Sequence, residues 1–245
     1  MSKSFSTGIK QTYQLYLQSG KKIKATANHK FLTLDGWKRL DELNAGDFIA
    51  TPRIIKYQYG KEILSDEEII LLAHLIGDGC TLEREPIHYT NADLVCHKAV
   101  AASAKKLFSI QPRQVAQGNY YHTYLPSPYR LAPGIKSPIT NWFSKNNIFN
   151  LRSREKIIPE IIFSQPKDRI AFFLKHLWAI DGSISKYKNR YRVYYASGSK
   201  KLVYQVCHLL LRFGITARIT KSSKIGYKDI YNVDISGSKD QLIFC

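Results

Sequence analysis

No stretch of eighteen or more apolar residues occurs in this chain of 245 residues, and its N-terminus has no apolar segment of the kind a secretory signal needs. A soluble, cytoplasmic protein with no membrane partner is therefore expected. Cysteine is scarce: Cys80, Cys96, Cys207 and Cys245 lie far apart without a Cys-x-x-Cys pair. That spacing signals neither a zinc site nor a disulfide framework, and suits thiols in a reducing compartment. Acid is the third shortage. Nineteen Asp and Glu stand against 37 Lys and Arg, a net charge of +18 with a pI near 9.7. A field of that sign attracts polyanions, of which nucleic acid is the commonest in a cytoplasm. The basic excess is present both before and after Leu64, so charge alone does not locate a site. Hydrophobic residues make up 44% and aromatics 12%. Those values argue against disorder and provide the core of one large or two modest domains.

What is present falls into two patterns. The first fifty-odd residues, including "TYQLYLQSGKKIKATANHKFLTLDGWKRL", alternate polar and apolar side chains on both sides of Ser19-Gly20 and of Asp35-Gly36, which predicts β-hairpins. Pro52 and Gly60 then lead into a helical pattern. Ser65 and Glu68 have capping-box spacing, and Ile69, Leu72, Ala73 and Ile76 share one helical face up to Asp78-Gly79. A second helix of the same kind, with Ser164 as a possible cap and Pro166 in its first turn, carries Ile170, Phe173, Leu174 and Leu177 and ends at Asp181-Gly182. Each Asp-Gly is followed by strand, charged turn, Tyr-containing strand, amphipathic helix and further strands. The chain thus predicts an internal repeat over 65–155 and 164–245, related by a pseudo-twofold. The second copy is expected to stop in the first turn of its closing helix, whose counterpart in the first copy is "SPITNWFSKNNI".

An acid at a helix C-terminus is disfavoured by the macrodipole. One explanation is a plain helix exit, with glycine supplying a left-handed residue. The other is that two pseudo-symmetric helices bring Asp78 and Asp181 together, where two carboxylates and nearby backbone carbonyls suit a hard cation such as Mg²⁺. Such a cation placed against a duplex can activate water and stabilise the leaving oxygen of a phosphodiester. For the DNA surface, "SISKYKNRYRVYY" sets Lys186, Lys188, Arg190 and Arg192 at alternate positions. A continuous strand would show them on one face, whereas a hairpin tip at Lys188-Asn189 would put cations on both arms. Either arrangement can meet phosphates, and arginine can read guanine edges. Their alternative is a solvated edge hairpin kept soluble by charge.

"LLAHLIGDG" (Leu71 to Gly79) and "FLKHLWAIDG" (Phe173 to Gly182) resemble the two motifs of LAGLIDADG homing endonucleases, and "KIIP" (Lys156 to Pro159) resembles the lysine-containing block between them. The resemblance implies an α+β fold, with residues 58–245 forming a pseudo-twofold domain of two αββαββα units in a monomer. It implies cleavage of a long double-stranded DNA site with Mg²⁺ or Mn²⁺. Asp78 and Asp181 would hold the metal with the carbonyls of Gly77 and Ile180, Lys156 would lie at the active centre, and Lys186, Lys188, Arg190, Arg192, Arg113 and Lys228 would contact DNA. The motifs differ at the helix-packing positions: Ala73 and Gly77 in the first stand where His176 and Ile180 stand in the second.

Thr26-x-x-His29 resembles a block of inteins, and the surrounding wording is similar to inteins of replicative DNA helicases. This implies that residues 1–57 are part of an all-β Hint (horseshoe) splicing domain, with His29 polarising the N-terminal splice junction and Thr26 assisting. A junction Cys or Ser, a C-terminal His-Asn pair and the outer β-strands are missing. The chain is therefore expected to be a fragment lacking both splice junctions and unable to splice. Two alternatives remain beside the endonuclease: a cleavage-inactive, maturase-like DNA or RNA binder, and a segment whose main activity is splicing within a helicase precursor.

Overall fold

The computed structural model describes residues 6, 8–132, 134–187 and 190–245. The chain divides into two compact units, Met1–Arg53 and Ile54–Cys245. In the first, β1 (Thr12–Tyr16) pairs antiparallel with β2 (Lys22–Thr26), and β3 (Lys30–Thr33) with β4 (Gly36–Arg39). Gly20 and Gly36 hold φ of 81° and 102°, which explains the glycine at each reversal. Among the described residues of this unit only Phe31 is buried, while Tyr13, Tyr16, Leu34, Trp37 and Phe48 are exposed. Two such hairpins do not close a core of their own.

The second unit begins at Ile54, four residues before the expected start at residue 58. The Ile55 N–H donates to Leu211 O (3.2 Å) and the Tyr57 hydroxyl to Gln165 O (2.9 Å), so these residues are tied to the second unit. At α1 (Asp66–Asp78) the Ser65 hydroxyl accepts from the Glu68 N–H and the Glu68 carboxylate accepts from the Ser65 N–H. The expected stripe is buried, and Leu71, His74 and Leu75 are buried with it, so α1 is enclosed on all sides. Then come β5 (Gly79–Cys80), β6 (His88–Asn91), α2 (Leu94–Phe108), β7 (Arg113–Gln117), β8 (Tyr120–Tyr124) and α3 (Pro138–Lys145). A short α4 (Glu160–Phe163) precedes α5 (Lys167–Asp181), β9 (Gly182–Tyr187), β10 (Arg190–Ser197), α6 (Lys200–Leu211), β11 (Ala217–Ser222), β12 (Ile230–Ile235) and α7 (Ser238–Phe244). Both halves thus run αββαββα apart from the α4 insertion. Their antiparallel sheets share one strand order, β5-β6-β8-β7 and β9-β10-β12-β11.

Two local expectations change. Ser164 does not cap α5: its N–H bonds to Ile161 O and closes α4, leaving Pro166 at the start of α5 with no side-chain cap. Asp168 supplies the favourable charge in that first turn instead. The first hairpin of the first repeat is also cut down, β5 having two residues where β9 has six.

Helices α1 and α5 pack side by side. Halfway along, His74 Nε2 and His176 Nδ1 meet at 3.1 Å, and the other His74 nitrogen meets the Tyr89 hydroxyl at 3.1 Å. Nearer the C-termini, a Cβ on Gly77 would lie 2.8 Å from Ile180 Cγ2. The unequal packing positions are thereby reconciled: α1 leaves the space and the Ile180 side chain fills it. Tyr89 and Thr123 face inward from the first sheet, and Val193, Tyr195, Ile219, Val233 and Ile235 from the second. The outer faces of both sheets stay open. Among the described residues no helix is long and apolar enough to cross a membrane.

Candidate active site

Asp78 and Asp181 are the last residues of α1 and α5, and Gly79 and Gly182 open β5 and β9 without an intervening turn. The left-handed explanation fails here: φ is −86° at Gly79 and −88° at Gly182, values open to any residue. Space is the reason for glycine. A Cβ on Gly79 would lie 2.5 Å from Leu75 O, and one on Gly182 would lie 2.0 Å from Trp178 Cδ1. Each glycine N–H still closes the helix, donating to Leu75 O or to Trp178 O.

The ends of the helix pair bring three sequence-predicted groups into mutual influence. Burial raises the Asp78 carboxyl above its ordinary range, against the Asn91 amide, whose Nδ2 donates to Oδ2 at 2.7 Å, and the charge of Lys156. Asp181 is pushed up to about 6, by burial first and by the charge of Asp78 second, with Lys156 opposing. The Tyr195 hydroxyl stands 3.5 Å from its Oδ2. Lys156 is half-buried, and desolvation lowers its affinity for a proton while Asp78 and Asp181 raise it. Its ammonium donates to Gly77 O at 2.5 Å, so the carbonyl expected to face a metal also anchors the lysine. Two half-buried acids, the second raised by the charge of the first, beside a single lysine, form an oxygen-rich site with surplus negative charge. Such a donor set fits a hard divalent cation. Among the described residues no cluster of three or more His, Cys, Asp or Glu offers an alternative metal site.

The expected DNA contacts divide by register. Arg113 lies on the open face of the first sheet, its guanidinium 5.1 Å from the centre of the Tyr124 ring, with which it pairs across β7 and β8. Arg192 lies on the open face of the second, pinned by Asp234 (2.7 Å) and stacked on Tyr194 (4.2 Å). A hairpin, not a continuous strand, joins this region: Lys186 pairs with Tyr191 and Ser185 with Arg192, which places Lys186 on the opposite face from Arg192. Arg190 pairs with Tyr187, and Lys188 lies outside the described residues. Lys228 is exposed between β11 and β12. In the first unit, Thr26 and His29 bracket one turn: the His29 N–H donates to Thr26 O (3.1 Å), and the imidazole meets the Phe31 ring edge-on at 5.0 Å.

Asn91, Tyr195 and the His74–His176 pair join the site without having been expected from the sequence. Asn91 and Tyr195 reach the aspartates only through strand register. The histidines were visible as a departure from the helix-packing pattern, but not as partners.

With this geometry in place, known proteins agree on the fold. Residues 168–245 match the family model described as a LAGLIDADG-like domain. Over its whole length the chain is 45% identical to the replicative DNA helicase DnaB of Synechocystis sp. and 44% identical to that of Rhodothermus marinus. It spans only 29% and 26% of those relatives. A solved structure of I-DmoI in complex with DNA and Mn superposes with a TM-score of 0.52 at 16% identity, covering 73% of this chain and 93% of that one. A variant of I-DmoI with its target DNA gives 0.53 at 18%, covering 73% and 91%. I-DmoI is itself described as a homing endonuclease. Residues 168–245 are thus similar to a LAGLIDADG-like domain, and about three quarters of the chain shares the fold of I-DmoI.

Proposed function

We propose that this chain is a segment of an intein carried in a replicative DNA helicase, and that its larger unit is a site-specific homing endonuclease. The carrying observation is the convergence of Asp78, Asp181 and Lys156 at the ends of two pseudo-symmetric helices. Helicase relatives that match the whole chain over about a quarter of their own length are what an inserted element would give. Asp78 and Asp181 would hold a divalent cation, Mg²⁺ or Mn²⁺, with the carbonyls of Ile180 and Gly77 as further oxygen donors, the latter already accepting from Lys156. Once bound, the cation supplies an activated water and stabilises the leaving oxygen of the phosphodiester. Lys156 places its ammonium where phosphate charge develops, and enclosure of the acids strengthens each of these interactions. Arg113 and Arg192 on the open sheet faces, with Lys188, Arg190 and Lys228, position the duplex through its phosphates, whereas Lys186, on the opposite face of its hairpin, is left out of that contact. The Met1–Arg53 unit is part of a Hint splicing domain, with Thr26 and His29 at its splicing centre. Its exposed apolar side chains are the surface that further β-strands would cover.

The test is incubation with Mg²⁺ and a duplex carrying the uninterrupted helicase gene. Specific breaks are expected. Binding without any cut would leave a DNA-binding protein and sink the endonuclease reading.

A further inference from the structure

The two repeats can be compared position by position through their sheets. Gly79 pairs with Tyr89 and Gly182 pairs with Tyr195, so the two tyrosines are equivalent, as are Asn91 and Ser197 two residues later. The next helices are capped alike. Asn91 Oδ1 accepts from the N–H of Asp93, the N-cap of α2 (2.8 Å), and Ser197 Oγ accepts from the N–H of Ser199, the N-cap of α6 (3.1 Å). Backbone duty is thus equal at the two positions.

The side chains are unequal beyond that duty. An asparagine amide has two donors left once its oxygen is used, and Nδ2 reaches Asp78 Oδ2 at 2.7 Å. A serine has one oxygen and no second arm. The Asn91 backbone is held as well, its carbonyl bonded to His97 Nε2 at 3.0 Å while the other nitrogen of that buried ring meets Thr123 Oγ1 at 2.7 Å. Across the pseudo-twofold, the side-chain partner of Asp181 among the described residues is the Tyr195 hydroxyl at 3.5 Å, the outer limit of a hydrogen bond. The equivalent Tyr89 hydroxyl is engaged by His74.

We infer that Asn91 is a positioning residue for Asp78, and that the two acids are held unequally, so that the two DNA strands are cut at different rates with Asn91 setting the difference. The strand part rests on the endonuclease reading; the positioning part does not. Asn91→Ser is the informative substitution because it installs what Ser197 already provides, an oxygen for the helix cap, and so preserves the fold. Ser197→Asn is its reciprocal.

Two readouts decide. In Tb³⁺ luminescence titrations of the full chain, Asn91→Ser should weaken binding by roughly 10-fold, the usual loss when a partner of a ligating carboxylate is removed. With each strand of the duplex labelled in turn, Asn91→Ser should slow nicking of one strand by a similar ~10-fold and leave the other largely unchanged. Ser197→Asn should bring the two rates closer together. Unchanged Tb³⁺ affinity, or equal slowing of both strands, overturns the inference. If the wild-type chain cuts no DNA, the endonuclease reading fails by itself, and the Tb³⁺ titration still decides the role of Asn91.

Discussion

The first and second repeats perform the same backbone manoeuvre and surround it with different chemistry. In each, a helix ends on aspartate and a glycine turns the chain directly into a strand. Yet Asp78 meets an asparagine amide and Asp181 a distant phenol, while Gly77 makes room on one helix and Ile180 fills it from the other. Duplication sets backbone geometry, which is costly to alter. Side chains differ both within one half, as at Asn91 and Ser197, and in compensating pairs across the two, as at Gly77 and Ile180.

The sharpest way to break the comparison is at the acids themselves. Asp78→Asn and Asp181→Asn should each reduce cleavage by roughly 10³-fold, about 4 kcal/mol of transition-state stabilisation, while DNA binding persists. Gel-shift and cleavage assays on the same duplex separate the two effects; normal cutting by either variant would remove its acid from the site.

The glycines test whether the backbone manoeuvre is shared. Gly182→Ala and Gly79→Ala should each lower unfolding stability by about 3 kcal/mol or more, because the added carbon meets a carbonyl oxygen of the preceding turn as well as side-chain atoms. Gly77→Ala should cost less, since its neighbour is the end of the Ile180 side chain, and Ile180→Val should recover part of the loss. Thermal or urea unfolding ranks the three. A neutral Gly182→Ala would show that close approach is not what requires glycine.

Metal-free stability at different pH sharpens the electrostatic contrast. Asp181 binds its proton more tightly in the folded chain, near pH 6, than unfolded, near 3.8, so its ionisation opposes folding above that window. Asp181→Asn should therefore be more stable than wild type by up to about 3 kcal/mol at pH 7.5, with the gap closing toward pH 4. Mg²⁺ should stabilise the wild type and narrow the same gap. A gap independent of pH would contradict the raised proton affinity.

The smallest effect comes from the helix interface. Burial holds His74 down to about 4, with His176 and His97 acting in the same direction, so its stabilising contribution is present above pH 6.5 and is lost as pH falls toward 4. Between pH 7 and 5.5 this amounts to about 1 kcal/mol, which His74→Leu should remove from the slope of the stability profile while lowering its plateau. An unchanged slope in that variant would assign the pH dependence elsewhere.

Much of this architecture was legible in the residues because it rests on short-range rules. The Ser65 and Glu68 capping box, the hairpin reversals at Gly20 and Gly36, and the apolar stripes of α1 and α5 each depend on neighbours within a few positions. The repeated Asp-Gly extended that legibility to Asp78 and Asp181. Where register decides, the sequence was silent. Whether Lys186 shares a face with Arg192 depends on where a hairpin reverses, and Asn91 reaches Asp78 only because β6 pairs as it does. Ser164 departs from expectation for a related reason: the short α4 ends at the same polar residue that could have capped α5.

Residues 54–64 carry one further consequence. They are fastened beside the start of α5 by the Gly60 N–H to Ser164 O (2.7 Å), the Leu64 N–H to Gln165 Oε1 (2.9 Å) and the Gln165 amide to Glu62 O (3.0 Å). Gln165 is fully buried there, and Arg169 and Asp66 pair across the first turns of the two helices. The chain therefore enters this unit at one end of the helix pair and presents its acids at the other, about 18 Å away by helix rise. The joint that leads into this unit and its pair of aspartates are thus separated by the full length of two helices, so a change in residues 54–64 reaches the acids only through the helix pair itself.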